Sequence, residues 1–288
     1  MIRNMGKKLL PVVIALIFAG CVTSSAEKKS GELKGYNLNK PERFVMPNSL
    51  IEISGITFNH HDGDVVYAIQ DEEGKFFKLN WGVKKQTHAK FAKSGDYEDV
   101  AILHDKVIVL KSNGTLYTFN LSDATDDEDI DHVEEWKKLL PPGEYEGMCA
   151  DEATSQLYIL CKNCDQDKDS KGVSGFVFRM DDSITRTGNF FIDAATGSGM
   201  ALSVKKGLRP SAIAKNPVTH EWFVLSSVNK LLLIVDEQWK VKQAVHLSAN
   251  TFNQPEGIAF DNAGNLYISN EGDDVTEGNI LKFTRTQK

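Results

Sequence analysis

One short pattern occurs five times along this chain, and a fold without a repeating unit does not account for it. In its clearest copy it reads Pro255-Glu256-Gly257-Ile258-Ala259-Phe260, then Asp261-Asn262-Ala263-Gly264-Asn265, then Leu266-Tyr267-Ile268-Ser269-Asn270. Asn, Asp and Gly tolerate the left-handed backbone of a tight reversal, so the middle five residues predict the turn of a β-hairpin. The other copies open at Ser54-Gly55-Ile56, Tyr97-Glu98-Asp99-Val100, Tyr145-Glu146-Gly147-Met148 and Pro210-Ser211-Ala212-Ile213-Ala214. Each leads through a turn into a second apolar run, at 65–69, 107–110, 157–160 and 222–225.

A third apolar run follows each pair, at 75–79, 115–119, 175–178, 231–235 and 279–283, and a weaker fourth follows at 87–91, 190–193 and 241–247. Measured between Gly55, Asp99, Gly147, Ala212 and Gly257, the spacings are 44, 48, 65 and 45 residues. Four short strands in about 45 residues is the period of a propeller blade. The runs are rich in β-branched and aromatic residues and apolar on both faces, as a blade packed between two others requires. A β-sandwich also has short strands, but it gives no reason for the same signature to open every unit. The fold class predicted is therefore all-β: a five-bladed β-propeller with four-stranded antiparallel blades.

The last unit stops after three strands at Phe283. The segment 35–46 precedes the first unit and is expected to supply the missing outer strand, so an N-terminal strand closes the ring and leaves no open sheet edge. Two insertions stand apart: an acidic run at 123–131, read as a solvated loop, and the stretch 181–208 with Gly197-Ser198-Gly199, which accounts for the long spacing.

Ahead of the repeats, Arg3, Lys7 and Lys8 precede an apolar run at 9–18, and Ala19-Gly20 precede Cys21. That run is too short to span a bilayer as a mature helix and reads as a targeting segment. Small residues directly before a cysteine resemble a bacterial lipoprotein signal, although Phe18 stands where Leu is usual; a plain secretory signal with Cys21 incidental is the lesser alternative. The expected organisation is a signal peptide at 1–20, lipidation at Cys21, a flexible tether at 21–34 and a propeller at 35–288. Membrane contact is then through the lipid anchor, with the propeller in the periplasm or at the cell surface. Val22 and Thr23 do not carry the Asp associated with inner-membrane retention, which favours the outer membrane.

Without the three basic residues of the signal, 30 Lys and Arg face 40 Asp and Glu. An acidic chain with no basic stripe argues against nucleic-acid binding. A monomer is expected. Cys149, Cys161 and Cys164 are an odd set; Cys161-x-x-Cys164 lacks the second pair of a zinc site, so a loop disulfide or free thiols is the reading. Asp165-x-Asp167-x-Asp169 lacks the glycine and glutamate of a calcium loop and reads as solvated. His60 and His61 fall in a turn, where exposure is the default.

In a propeller the first strand of each blade lines the axis and the second runs back beside it. The start of the first strands and the end of the second strands thus share one mouth. The first positions are Ser54, Glu98, Glu146, Ser211 and Glu256; the second are Asp71, Lys111, Lys162, Ser227 and Glu271. Three carboxylates near one axis repel strongly at low effective dielectric, so something must neutralise them. Calcium, with about six to eight hard oxygen ligands, is one solution; Lys111 and Lys162 paired with Glu98 and Glu146 is another. Ser54 and Ser211 are expected to hydrogen-bond or turn the chain, because no histidine base can be nominated beside them.

These openings, with Gln254-Pro255-Glu256-Gly257-Ile258-Ala259, resemble the SdiA-regulated domain family over about 36–284. That is a bacterial group of five-bladed propellers distantly similar to NHL-repeat proteins, often found in the envelope. The resemblance implies a calcium ion near the axis, with Glu98, Glu146 and Glu256 as the matching metal ligands. Lys111 stands where an acid could have been a further one. Two functions are carried forward. One is an envelope-anchored calcium-binding module that captures a small molecule or protein at the mouth. The other is a calcium-dependent hydrolase or lactonase, like related propellers of the gluconolactonase type, with Glu98 or Glu146 as base and Lys111 or Lys162 stabilising negative charge.

Overall fold

The computed structural model describes residues 29–83, 85–126, 128–181, 183–194 and 207–286. Cys21, the signal segment and Gly197-Ser198-Gly199 lie outside them. In chain order, β1 (Glu42–Val45) precedes a first blade of β2 (Ile53–Thr57), β3 (Val65–Gln70), β4 (Lys75–Asn80) and β5 (Thr87–Lys90). The second blade is β6 (Tyr97–Leu103), β7 (Lys106–Lys111), β8 (Leu116–Asn120) and β9 (Glu134–Trp136). The third is β10 (Gly143–Asp151), β11 (Gln156–Cys164), β12 (Val173–Met180) and β13 (Ile184–Ile192). The fourth is β14 (Ala212–Lys215), β15 (Trp222–Ser226), β16 (Leu231–Val235) and β17 (Val241–His246), and the fifth opens with β18 (Pro255–Phe260), β19 (Leu266–Asn270) and β20 (Asn279–Phe283).

Every sheet is a four-stranded antiparallel meander, and the fifth is completed by β1, which pairs with β20 in the register Glu42 to Lys282 through Val45 to Asn279. Both ends of the chain therefore close the ring, as the three-strand last unit predicts. The inner strands β2, β6, β10, β14 and β18 each lie against the next, and β18 returns to β2.

The core is not one centre but five layers, one at each blade boundary. Blade two shows why. Val100, Ile102, Val107 and Val109 pack toward blade one, while Ala101, Leu103, Ile108 and Leu110 pack toward blade three. With side chains alternating across a strand and both faces covered, the runs become continuously apolar. The hairpin of blade five has the expected turn: Gly264 takes φ +75°, and the Asp261 carboxylate accepts the N–H groups of Ala263 and Asn265 at 3.0 and 2.9 Å.

Residues ahead of the repeats also pack on the propeller. Within the expected tether, the Gly31 N–H donates to His246 O at 2.8 Å beside β17, and Leu33 is buried between blades four and five. Tyr36 then donates to Gly264 O at 2.6 Å and accepts from Asn216 Nδ2 at 2.8 Å. Most of the acidic insertion is exposed, but it also folds back: Lys90 N–H donates to Glu128 O at 2.9 Å, and Ile130 is buried against blades one and two.

Candidate functional site: the acidic axial mouth

In four of the five units the opening signature is a β-bulge. Pairing slips between Ile53 and Ile56, Tyr97 and Asp99, Tyr145 and Gly147, and Pro255 and Gly257. Ser54, Glu98, Glu146 and Glu256 are thus residues displaced from the ladder, and a bulge turns its extra side chain out of the regular alternation. Ser211 differs: it stands just before β14, its N–H donating to Leu225 O at 2.8 Å.

At three of the four bulges the next residue is glycine, because the neighbouring inner strand is so close; at the fourth it is Asp99. A Cβ on Gly257 would stand 2.6 Å from Ser54 O, and one on Gly55 would stand 2.4 Å from Asp99 Oδ1. Polar bonds stitch these crossings together. Ser54 Oγ donates to Glu98 O at 2.6 Å, Ser211 Oγ to Pro255 O at 2.8 Å, and Ser269 Oγ to Ser54 O at 2.7 Å. Ser54 and Ser211 therefore hold main chain to main chain.

Several of the mouth carboxylates lie in the field of Lys162. Lys162 is in direct contact with the buried Glu146 and lies 3.5 Å from Glu144. It also lowers the pKa values of Glu98, Glu256 and Glu271, which places these side chains within its electrostatic reach. Glu98 is nonetheless pushed up to about 8, by burial first and then by Asp96, with Glu256 adding to the rise. Glu256 is pushed up to about 7 by burial and Glu271, against the lowering effects of Lys162, a Ser227 hydrogen bond and Lys230. Asp71 reaches about 6 through burial, Glu271, Glu72 and Asp96.

Glu271 accepts from Gln254 Nε2 at 2.7 Å, and burial raises it too. The Lys111 ammonium stands 5.7 Å from the centre of the Tyr97 ring and acts on Glu135, which takes it toward the outer strands of blade two.

Four further groups belong to the mouth: Glu52, Asp96, Glu144 and Gln254. Each stands two residues before a first-position residue, at or just ahead of the start of its strand: Glu52 and Asp96 act on Glu271 and Glu98, Glu144 faces Lys162, and Gln254 donates to Glu271. That period of two is the signal that would have found them.

The donor chemistry suits a hard divalent cation. Carboxylate oxygens predominate, Asp71 Oδ1 is buried with no hydrogen-bond partner, and burial without enough countercharge has driven Glu98 and Glu256 toward their neutral forms. Among the described residues, no three acidic, imidazole or thiol groups already stand close enough together to form a ready coordination shell. The Asp165–Asp169 loop forms none either: Asp167 accepts from Ser174 N and Oγ at 2.8 and 2.7 Å, and Asp165 pairs with Lys168 at 2.6 Å.

A family model described as SdiA-regulated matches residues 29–273. A search of curated proteins finds no match. Among solved structures, the chain is similar to a glutaminyl cyclase from Myxococcus xanthus, with 11% identity, TM-score 0.56 and coverage of 85% of this chain and 96% of that one. It is also similar to the PQQ-bound aldose sugar dehydrogenase of Streptomyces coelicolor, with 11% identity, TM-score 0.54 and coverage of 85% and 98%. A third similar structure is regucalcin of Agrobacterium tumefaciens, described as a calcium-binding protein, with 11% identity, TM-score 0.51 and coverage of 89% and 96%. At such identities the likeness is one of fold, and these three proteins use that fold for different chemistry.

Proposed function

The chain belongs to the SdiA-regulated family, and on that premise we propose that it is an envelope-anchored binding module whose axial mouth holds calcium as part of a ligand- or partner-binding site. The observation that carries the reading is the charge imbalance at the mouth. Glu98, Glu256 and Glu271 lie in the field of Lys162, which is already in contact with Glu146; Lys230 adds a second positive charge near Glu256 alone, and Asp71 has only acidic neighbours acting on it. Glu98 and Glu256 would hold the ion, with Glu271 and Asp71 supplying further oxygen. Bound there, calcium supplies the countercharge that the fold lacks, and it presents a cationic face to an incoming oxygen ligand. Anchoring through Cys21 remains part of the proposal, and the Cys161–Cys164 disulfide supports an exported, oxidising setting.

The test is calorimetric titration of chelator-treated protein with calcium near neutral pH. Because Glu98 and Glu256 titrate near that range, binding should release protons, visible as a heat that changes with the ionisation enthalpy of the buffer. Glu98→Gln with Glu256→Gln should abolish both the heat and the release. Absence of calcium binding by the unaltered chain at millimolar concentration sinks the calcium reading.

One observation favours the hydrolase as a second reading. A carboxyl near 8, such as Glu98, is protonated at neutral pH and can act as a general acid. Lactones and esters turned over by the unaltered chain and not by Glu98→Gln would support it; no turnover of either class would remove it.

A further inference from the structure

Lys162 lies inside a covalent loop. The Cys161–Cys164 disulfide spans it at the end of β11, with Cys161 fully buried and Cys164 nearly so. The loop is clamped on β10: Cys161 Sγ meets Glu144 O at 3.4 Å, and a Cβ on Gly143 would stand 2.6 Å from Cys164 Sγ. A lysine normally carries its charge on a flexible stem that stays in water. Here the backbone on both sides is fixed, and the side chain is only 21% exposed, with its ammonium on Glu146 and near Glu144.

We propose that Lys162, held on Glu146 and near Glu144, is a tethered cation whose charge opposes the mouth's divalent ion, and that the Cys161–Cys164 loop fixes its reach. The inference rests on the reading of the mouth as a cation site and adds what sets its selectivity. An ammonium supplies one positive charge and donates only hydrogen bonds. A doubly charged ion offers the surrounding acids more at the same distance, whereas a monovalent ion offers no gain over the lysine already present. Lys162 is therefore a specificity-determining residue: it excludes monovalent ions and weakens the divalent one.

Calcium titration by calorimetry on the full chain and three variants tests this. Lys162→Met should bind calcium about ten-fold tighter or more, because one opposing charge has left a partly desolvated site. Lys162→Arg should stay near the unaltered affinity, and Cys161→Ser with Cys164→Ser should move toward Lys162→Met as the ammonium gains freedom. Lys162→Gln repeats the test should the Met variant not fold. Equal or weaker binding by folded Lys162→Met overturns the proposal and leaves the cation site standing. A silent unaltered chain beside a binding Lys162→Met sinks the calcium reading of the native mouth and overturns the proposal, since there is then no native ion for the lysine to oppose. Silence of both removes the cation site and the proposal together. A disulfide variant that matches the unaltered chain, beside a tighter Lys162→Met, overturns the role given to the loop.

Discussion

Asp99 Oδ2 accepts the main-chain N–H of Met148 at 2.7 Å, across the boundary between blades two and three. Its other oxygen caps the N–H of Val100 at 2.8 Å, and burial with no cation in contact raises the carboxyl well above its ordinary range. Position 99 thus joins the inner strands by a side chain, where Gly147 in the next blade joins them by close approach to Ala212. Asp99→Ala leaves two buried donors unmade, and it should lower stability by about 2–4 kcal/mol. The check is a urea midpoint that falls with an unchanged slope; a shift under half of that would show that water replaces the carboxylate.

The mouth carboxyls make stability depend on pH in one direction. Glu98, Glu256 and Asp71 bind protons more tightly folded than unfolded, at about 8, 7 and 6 against ordinary values of 4.5, 4.5 and 3.8. Their contribution is present in full below the ordinary values and is lost as pH rises through the folded ones. In chelator, the melting temperature should therefore fall between about pH 5 and pH 8. Glu98→Gln with Glu256→Gln should flatten most of that slope. A flat profile in the unaltered chain contradicts the burial of charge at the mouth.

The repeat was legible because each cue is local: a turn at Asp261–Asn265, apolar alternation on either side, and a Glu-Gly or Ser-Gly step at the bulge. Five copies of a weak cue then imply a ring by spacing alone. The direction of the second-position side chains is not local. Lys111 pairs with Tyr97 as Cys161 pairs with Tyr145, so Lys111 stands one residue short of the position that Lys162 holds, and its ammonium lies beside Tyr97 while that of Lys162 reaches Glu146. The Cys-x-x-Cys spacing already offered the loop disulfide, but that the lysine inside it meets Glu146 is set by the approach of β10, which spacing does not encode. Strand β9 escaped for a related reason: three residues, two of them exposed glutamates, become a strand only when β8 offers its edge.

Tyr36 joins the N-terminal segment to two blades, and its hydroxyl is pushed up to about 12 by burial. Tyr36→Phe keeps the ring against Phe223 and Phe260 but leaves Gly264 O and Asn216 Nδ2 without that hydroxyl. A loss of about 1–2 kcal/mol is expected, read from the unfolding midpoint. Cleavage ahead of β1 by a nonspecific protease should speed up in the same variant, since the contact that holds the segment on blades four and five has gone. No change in either quantity would show that Leu33 and Leu38 suffice to dock it.

At the opposite end of the axis the β2–β3 turn reaches blades two, three and five. His60 and His61 both take left-handed backbone, at φ 48° and 56°. His60 Nδ1 meets Glu152 of blade three at 2.9 Å and Nε2 stands 3.6 Å from Asp105 of blade two, while His61 Nδ1 meets Phe260 O of blade five at 2.9 Å. The Glu152 hydrogen bond raises the His60 pKa, with Asp105 adding to it. A raised imidazole contributes stability that is present below its ordinary value of 6.5 and lost as pH rises through the folded value. His60 is 54% exposed, so screening keeps the gain to a few tenths of a kcal/mol. His60→Asn keeps tolerance of the left-handed turn while removing the titration, so it separates charge from strain. Its stability should match the unaltered chain above pH 8 and fall slightly below it at pH 6; an equal loss at both pH values would assign the histidine to backbone geometry instead.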